Sequence, residues 1–434
     1  MGKYINIAIT VILLSFYFFP FEFTFLPTGL NTKLGMAIVS LFLICANLVK
    51  RRNGNIDKDF FIVCVYAAMV SLSTLVAVFY NGTTDYVYVS YIISMLVWLG
   101  GAYTSLAWMK WVHGRVTVPI VVNYLVLVCV MQCLLAIAIS RYPMVSDFCN
   151  SFCQGLEWMS NEVDGRLYGI GCAFDVAGMR FAAVLIMMGI VLPFVAQIYS
   201  KIEVALYLFS FSIIAVVGSM IARTTSVGAV VALMYLVFTI GINSYSPSRT
   251  TIRLRKWILG WIVIMIATIL ILYNVDQQFQ KDFRFAFEGF FSLAESGRWK
   301  VHSNDVLVSM YRFPETLKTW IIGDGYIYDT TLDPYYTGVE YKEYYMATDV
   351  GYLRFIYYSG LIGLLTFVAF MYKVALTCMS KHPEYKLMFF LLFVLQLLVW
   401  FKVASDIFLV FALFLLVDSK RQNSVIQYGE QTVE

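Results

Sequence analysis

Apolar stretches of about twenty residues recur along almost the whole chain, separated by short polar intervals. A helix of that length spans roughly the 30 Å of bilayer hydrocarbon. The stretches fall at 5–25, 34–49, 60–80, 86–108, 118–139, 181–199, 204–221, 226–242, 257–273 and 351–372. A final one, 387–417, is too long for a single span and carries Lys402 and Asp406 near its middle. A charge at the bilayer centre costs at least about 2.5–3.5 kcal/mol, so the pattern predicts two short helices there rather than one. The expected fold is all-α: one integral membrane domain over 1–434 with about twelve transmembrane helices. No soluble domain and no internal repeat is visible.

Two polar intervals, 140–180 and 274–350, are much longer than the rest. Inside the second, DFRFAFEGFF, starting at Asp282, predicts an interfacial helix with its apolar side in lipid. Residues 5–25 are too long and aromatic for a leader and lack an Ala-x-Ala site, so they read as a retained first span.

Composition sharpens the class. The chain is 60% hydrophobic and 13% charged, about half the charge of an average soluble protein. A net charge of +4 gives no reason to expect nucleic acid as a partner. The placement of charge is more informative than its sum. With the N-terminus in the cytoplasm, more than half of the 31 Lys and Arg fall in inner loops, while the short outer turns hold almost none. The positive-inside rule then puts both termini inside and both long loops outside.

The eight cysteines include three in one polar loop, Cys149, Cys153 and Cys172. They leave two possibilities open: one disulfide, if the loop faces an oxidising compartment, or a zinc half-site without histidine. The usual loops for ATP hydrolysis, zinc proteolysis and serine hydrolysis are missing. Transfer chemistry on the outer face would therefore need a donor already activated in the membrane, such as a lipid-linked diphosphate sugar.

The outer face concentrates arginine, including Arg141, Arg166, Arg180, Arg223, Arg284, Arg298, Arg312 and Arg354. Guanidinium is planar, always charged and bidentate, which suits phosphate oxygens; arginines snorkelling to lipid phosphate are the plainer alternative. Arg223 stands in a turn flanked by apolar helix on both sides, so its head group should point into the protein. Asp349 is either an ion-pair partner for Arg354 or a base for an incoming hydroxyl. Glu162, Asp164, Asp175, Glu295, Asp305 and Asp324 compete for that role, and His302 is the outer histidine. Tyr326, Tyr336 and Tyr345, among other loop tyrosines, could stack on sugars or form an interfacial belt.

SGR at 296–298, IIGDGY at 321–326 and TDVGYLRFIYYSGLIG at 348–363 resemble the long-loop pattern of Wzy-type O-antigen polymerases. GRLYGIG at 165–171 and the RTT turn at 223–225 resemble further arginine positions of that family. The resemblance implies a GT-C-like membrane glycosyltransferase of the bacterial inner membrane. It would move a growing glycan from undecaprenyl diphosphate to the next lipid-linked repeat unit on the periplasmic face, without metal or cofactor. Its partners would be the lipid-linked oligosaccharides, membrane lipids, a chain-length regulator and a flippase. On the same resemblance Arg166, Arg180, Arg223, Arg298 and Arg354 would hold diphosphates, Asp349 or His302 would deprotonate the acceptor, and Tyr326, Tyr336 and Tyr345 would contact sugar. The alternatives are an O-antigen ligase, which usually shows a His-Asn pair where this chain has Ala347-Thr348-Asp349, and a flippase or transporter, which needs charges at mid-span.

Overall fold

The computed structural model describes residues 2–50, 58–156, 166–242, 249–328 and 344–418. Among these the chain is helical, with no β-strand. Each apolar stretch forms a helix: α1 (Gly2–Phe18), α2 (Thr32–Lys50), α3 (Lys58–Asn81), α4 (Tyr91–His113), α5 (Val118–Arg141), α7 (Phe174–Val195), α8 (Lys201–Ile221), α9 (Thr225–Leu236), α10 (Arg249–Val275), α15 (Gly351–Lys381), α16 (Lys386–Val399) and α17 (Phe408–Leu416). Shorter helices occupy the long loops: α6 (Pro143–Phe152), α11 (Gln277–Ala286), α12 (Glu288–Ser296), α13 (His302–Ser309) and α14 (Leu317–Ile321). Among the described residues seven helices, α3, α4, α5, α7, α8, α10 and α15, are long and apolar enough to cross a membrane. The protein is a helical membrane protein. As the two mid-stretch charges predict, the last apolar run breaks at 400–407.

Local sequence sets the helix ends. Ser200 and Glu203 form a reciprocal capping box at the start of α8. Gly114 closes α4 with φ of 72°, and proline stands in the first turn of α5. α7 is the central helix and is buried along most of its length. It packs on α5, α8, α9 and α16. Small residues allow this closeness: a Cβ on Gly189 would meet Ala232, and one on Gly228 would strike the Ala182 backbone. By contrast, the spanning stretch of α10 is unburied and lies at the edge of the bundle.

Side-chain contacts sort the turns to two ends. At one end Lys402 meets Asp175, Arg141 meets Asp276 and Arg223 meets Glu288. At the other, Lys110 meets Asp418 and Arg253 donates to the Ala196 carbonyl. The described parts of both long polar intervals therefore converge on one end, called the loop end below.

Three expectations change. α7 starts at Phe174 rather than near 181, so Arg180 lies well inside a buried helix instead of opening it. The run from Asp282 is two helices broken at Phe287. Phe279, just ahead of the run, Phe283 and Phe287 follow one another along the helix and pack on the protein core, and α11 lies against α8, while Phe290 is exposed. Cys149, Cys153 and Cys172 are free thiols, the first two in a small apolar cluster and the third in the main core. No metal-competent group of His, Cys, Asp or Glu occurs among the described residues.

α15 is kinked at Ser359 and Gly360. The kink frees the Tyr357 and Tyr358 carbonyls from their helical partners, and a freed carbonyl in an apolar setting must find another donor. The turn at 323–325 supplies it: Asp324 N–H donates to Tyr357 O at 2.6 Å and Gly325 N–H to Tyr358 O at 3.1 Å. Gly360 takes φ of 63°, and a Cβ there would collide with the Ile321 carbonyl. Gly360→Ala should destabilise the protein by about 1–3 kcal/mol or more, read as a lower unfolding temperature in detergent. Gly260→Ala, with nothing within 4 Å of its Cβ, should leave that temperature unchanged or slightly raised.

Candidate functional site

At the loop end, charged side chains are placed by helix termini that the apolar pattern brings together. Asp175 enters from the first turn of α7, Arg223 from the α8–α9 turn, Asp349 from just before α15, and Lys402 from the 400–407 break. Lys402 Nζ donates to Asp175 Oδ1 at 2.9 Å, and the Thr224 hydroxyl donates to the same oxygen. Asp175 lies near Arg223 on one side and Asp349 on the other. The result is a continuous band of charge across the ends of four helices.

On one flank, Arg223 is fully engaged. Its Nε donates to Phe285 O at 2.9 Å, Nη1 to Ser303 Oγ at 2.7 Å and Nη2 to Glu288 Oε2 at 2.5 Å. Its guanidinium lies 4.1 Å from the Phe285 ring centroid. Burial lowers its pKa and Glu288 opposes that shift. Arg166 lies over the same Phe285 ring at 5.1 Å. Arg166, Arg223, Arg284, Phe285, Glu288, Phe291, Glu295 and His302 line one cavity of about 430 Å³. The charges of two of its arginines are already matched, Arg223 by Glu288 and Arg284 by Glu295 at 2.5 Å. Matched ion pairs, aromatic faces and an exposed histidine suit hydroxyl-rich, weakly charged ligands better than a polyanion.

On the other flank, Arg354 is buried one turn into α15, with its guanidinium 3.5 Å from the Tyr344 ring centroid. Among the described residues it donates no side-chain hydrogen bond, and its Nε is buried without a partner. Asp349, half-buried beside it, accepts no hydrogen bond among the described residues. Burial raises the Asp349 pKa, Arg354 lowers it, and Asp175 raises it again. The net direction is upward.

The remaining predicted residues distribute as follows. The Tyr326 and Tyr345 rings lie 5.6 Å apart, and the Tyr345 hydroxyl donates to Asp324 Oδ2 at 3.4 Å. Burial, with Asp324 second, pushes Tyr345 up to about 12. Asp324 itself is held by Lys318 Nζ at 2.6 Å and Thr319 Oγ1 at 2.9 Å, so it anchors the turn under the α15 kink. Arg180 lies apart from the cavity, donating to Phe18 O at 2.5 Å and facing Lys33 and Asp406. Arg298 is exposed and does not line the cavity. Tyr336 lies outside the described residues. In the sequence Lys402 and Asp406 served only to divide a helix, and Phe285 was not singled out within the run from Asp282. The signal for the first two was there: charges inside an apolar run either end a span or meet partners from other helices.

No known protein family, curated protein or solved structure matches this chain.

The Lys402–Asp175 pair can be tested by a double-mutant cycle on Asp175→Asn and Lys402→Met. Each single change should destabilise, and the pair together by less than the sum, with a coupling energy of about 0.5–3 kcal/mol in detergent unfolding. Simple additivity would show that the ion pair does not join α7 to the 400–407 break.

Proposed function

We propose that the protein is a membrane glycosyltransferase that polymerises a lipid-linked repeat-unit polysaccharide, an O-antigen polymerase, with its loop end facing the periplasm and both termini in the cytoplasm. The observation that supports this reading is the juxtaposition of a buried arginine, Arg354, that donates no side-chain hydrogen bond among the described residues with a carboxyl, Asp349, that accepts none among them, the aromatic cavity lying on the other flank of the same charged band. A guanidinium without an internal acceptor suits phosphate oxygens. A carboxyl with a raised pKa suits removal of a proton from a sugar hydroxyl. The cavity carrying Arg166, Arg223 and His302 suits the glycan. Both substrates would be delivered by the membrane, with a flippase supplying repeat units and a chain-length regulator limiting the product.

In the proposed step the acceptor hydroxyl attacks the anomeric carbon of the donor glycan. The bond between that carbon and the phosphate oxygen breaks, and undecaprenyl diphosphate leaves with the bonding pair. Asp349 takes the hydroxyl proton. Arg354 stabilises the charge gathering on the departing diphosphate, where a preorganised donor in a water-poor site acts most strongly. The leaving group is already activated, so no nucleotide is consumed.

Loss of the gene should leave lipopolysaccharide capped with a single repeat unit. Complete absence of repeat units would instead indicate a ligase or flippase. Asp349→Asn should lower transfer by about 10²–10⁴-fold, with normal protein in the membrane. Because Asp349 must be ionised to act, wild-type activity should fall as pH drops through a carboxyl raised above its ordinary range. An acid limb at an ordinary carboxylate pKa, or one that survives in Asp349→Asn, excludes Asp349 as the base.

A further inference from the structure

The cavity on the Arg223 flank carries a charge that nothing else in its lining cancels. Apart from His302, three arginines and two glutamates line it, which leaves one positive charge over. The surplus belongs to Arg166. Arg223 is taken up by Phe285 O, Ser303 Oγ and Glu288 Oε2, and Arg284 by Glu295 Oε1 and the Tyr273 hydroxyl. Among the described residues Arg166 makes no ion pair and donates no side-chain hydrogen bond; it meets the Phe285 ring at 5.1 Å and the Phe174 ring at 5.9 Å. These contacts hold the cation against aromatic rings, and the N–H donors of its guanidinium remain for an acceptor.

The backbone that presents Arg166 is tied down on several sides. Leu167 beside it is buried, and its N–H donates to Met220 O of α8 at 3.4 Å. Gly169 N–H donates to Cys172 O at 2.8 Å, and Gln132 Nε2 of α5 donates to Ile170 O at 2.9 Å. The head group therefore stands at the cavity wall on a fixed turn, with its ordering cost met before any ligand arrives. It is half-buried, and its charge opposes that of Arg223 across their shared ring. One anion placed between them would relieve that opposition.

The walls limit what the anion can be. Glu288 and Glu295 repel a second negative charge, so a ligand with several charges is excluded by the same residues that neutralise Arg223 and Arg284. A carboxylate carries one charge and matches the planar guanidinium fork. The rings of Phe285 and Phe291 offer apolar faces to the C–H side of a sugar. At about 430 Å³ the cavity falls at the small end of ligand sites, which run from roughly 300 to 1,000 Å³.

We propose that the repeat unit handled by this protein contains one carboxylate-bearing sugar, a uronic or nonulosonic acid, and that Arg166 is the residue that selects it. The proposal rests on the polymerase reading and names the sugar class within it. Arg166 thereby leaves the diphosphate-holding set expected from the sequence. It lies on the flank away from Asp349 and acts on which glycan is accepted, not on the transfer step.

The test starts with cells lacking the gene. The single repeat unit that caps their lipopolysaccharide is released and sequenced by mass spectrometry, and it should contain one sugar with a carboxylate. Purified protein in nanodiscs is then given lipid-linked units from the same cells. Arg166→Gln should raise KM about tenfold or more while kcat stays within about twofold. Arg166→Lys, which keeps the charge and loses the fork, should recover part of the loss. Where the Gln variant does not fold, the Lys variant alone should still show a raised KM. A neutral repeat unit, or one whose only negative charge is a phosphodiester, would overturn the proposal and leave the polymerase reading standing. An acidic unit with KM unchanged in the Arg166 variants, or a loss confined to kcat, would overturn the assignment to Arg166. Full-length polymer in cells lacking the gene would remove the polymerase reading and this proposal with it.

Discussion

Charge buried at one end of an apolar helix bundle has to be matched by charge from another helix, and the break at 400–407 is where this chain does so. Lys402 and Asp406 cannot sit inside a continuous span. The chain ends α16 early, turns, and starts α17, which puts Lys402 against Asp175 of α7 and Asp406 toward Arg180 of the same helix. The break thereby fixes the most buried helix of the bundle, and it does so beside the first turn of α15, whose Tyr352 N–H it accepts through Trp400 O. Remove the ion pair and the ends of α7, α9 and α15 lose their common reference.

Backbone satisfaction imposes the second constraint. The kink at Ser359 and Gly360 is tolerable because the 323–325 turn replaces two helical hydrogen bonds, and that turn is itself pinned by Lys318, Thr319 and Asn81. A loop far along the chain from α3 is thus tied to both α3 and α15. The tie sets the direction of the first turns of α15, and with them Asp349 and Arg354. The described part of the long polar interval thus holds Asp349 and Arg354 in place by hydrogen-bonding to a deformed helix.

Much of the fold was legible because apolar length and mid-run charge are one-dimensional signals: the helix positions and the split of the last run follow from them directly. The arginine-rich loop end was legible as composition. What the pattern could not tell was depth and direction. Arg180 looked like the opening residue of a span, and only the packing of α7 shows it buried against Phe18 and Phe19. The run from Asp282 looked lipid-facing because an amphipathic period says which residues share a side and nothing about what that side meets; here Phe285 of that run meets two arginines.

The central proposal is that Asp349, a carboxyl raised above its ordinary range, and Arg354, which donates no side-chain hydrogen bond among the described residues, perform glycan transfer between lipid diphosphates. The most direct measurement is polymerisation by the purified protein supplied only with lipid-linked repeat units, without nucleotide or nucleotide sugar, followed by electrophoresis of the released glycan. The account predicts a ladder of lengths from wild type, release of lipid diphosphate in step with each added unit, and no ladder from Asp349→Asn. Absence of any ladder from folded wild-type protein, or an undiminished ladder from Asp349→Asn, would contradict it.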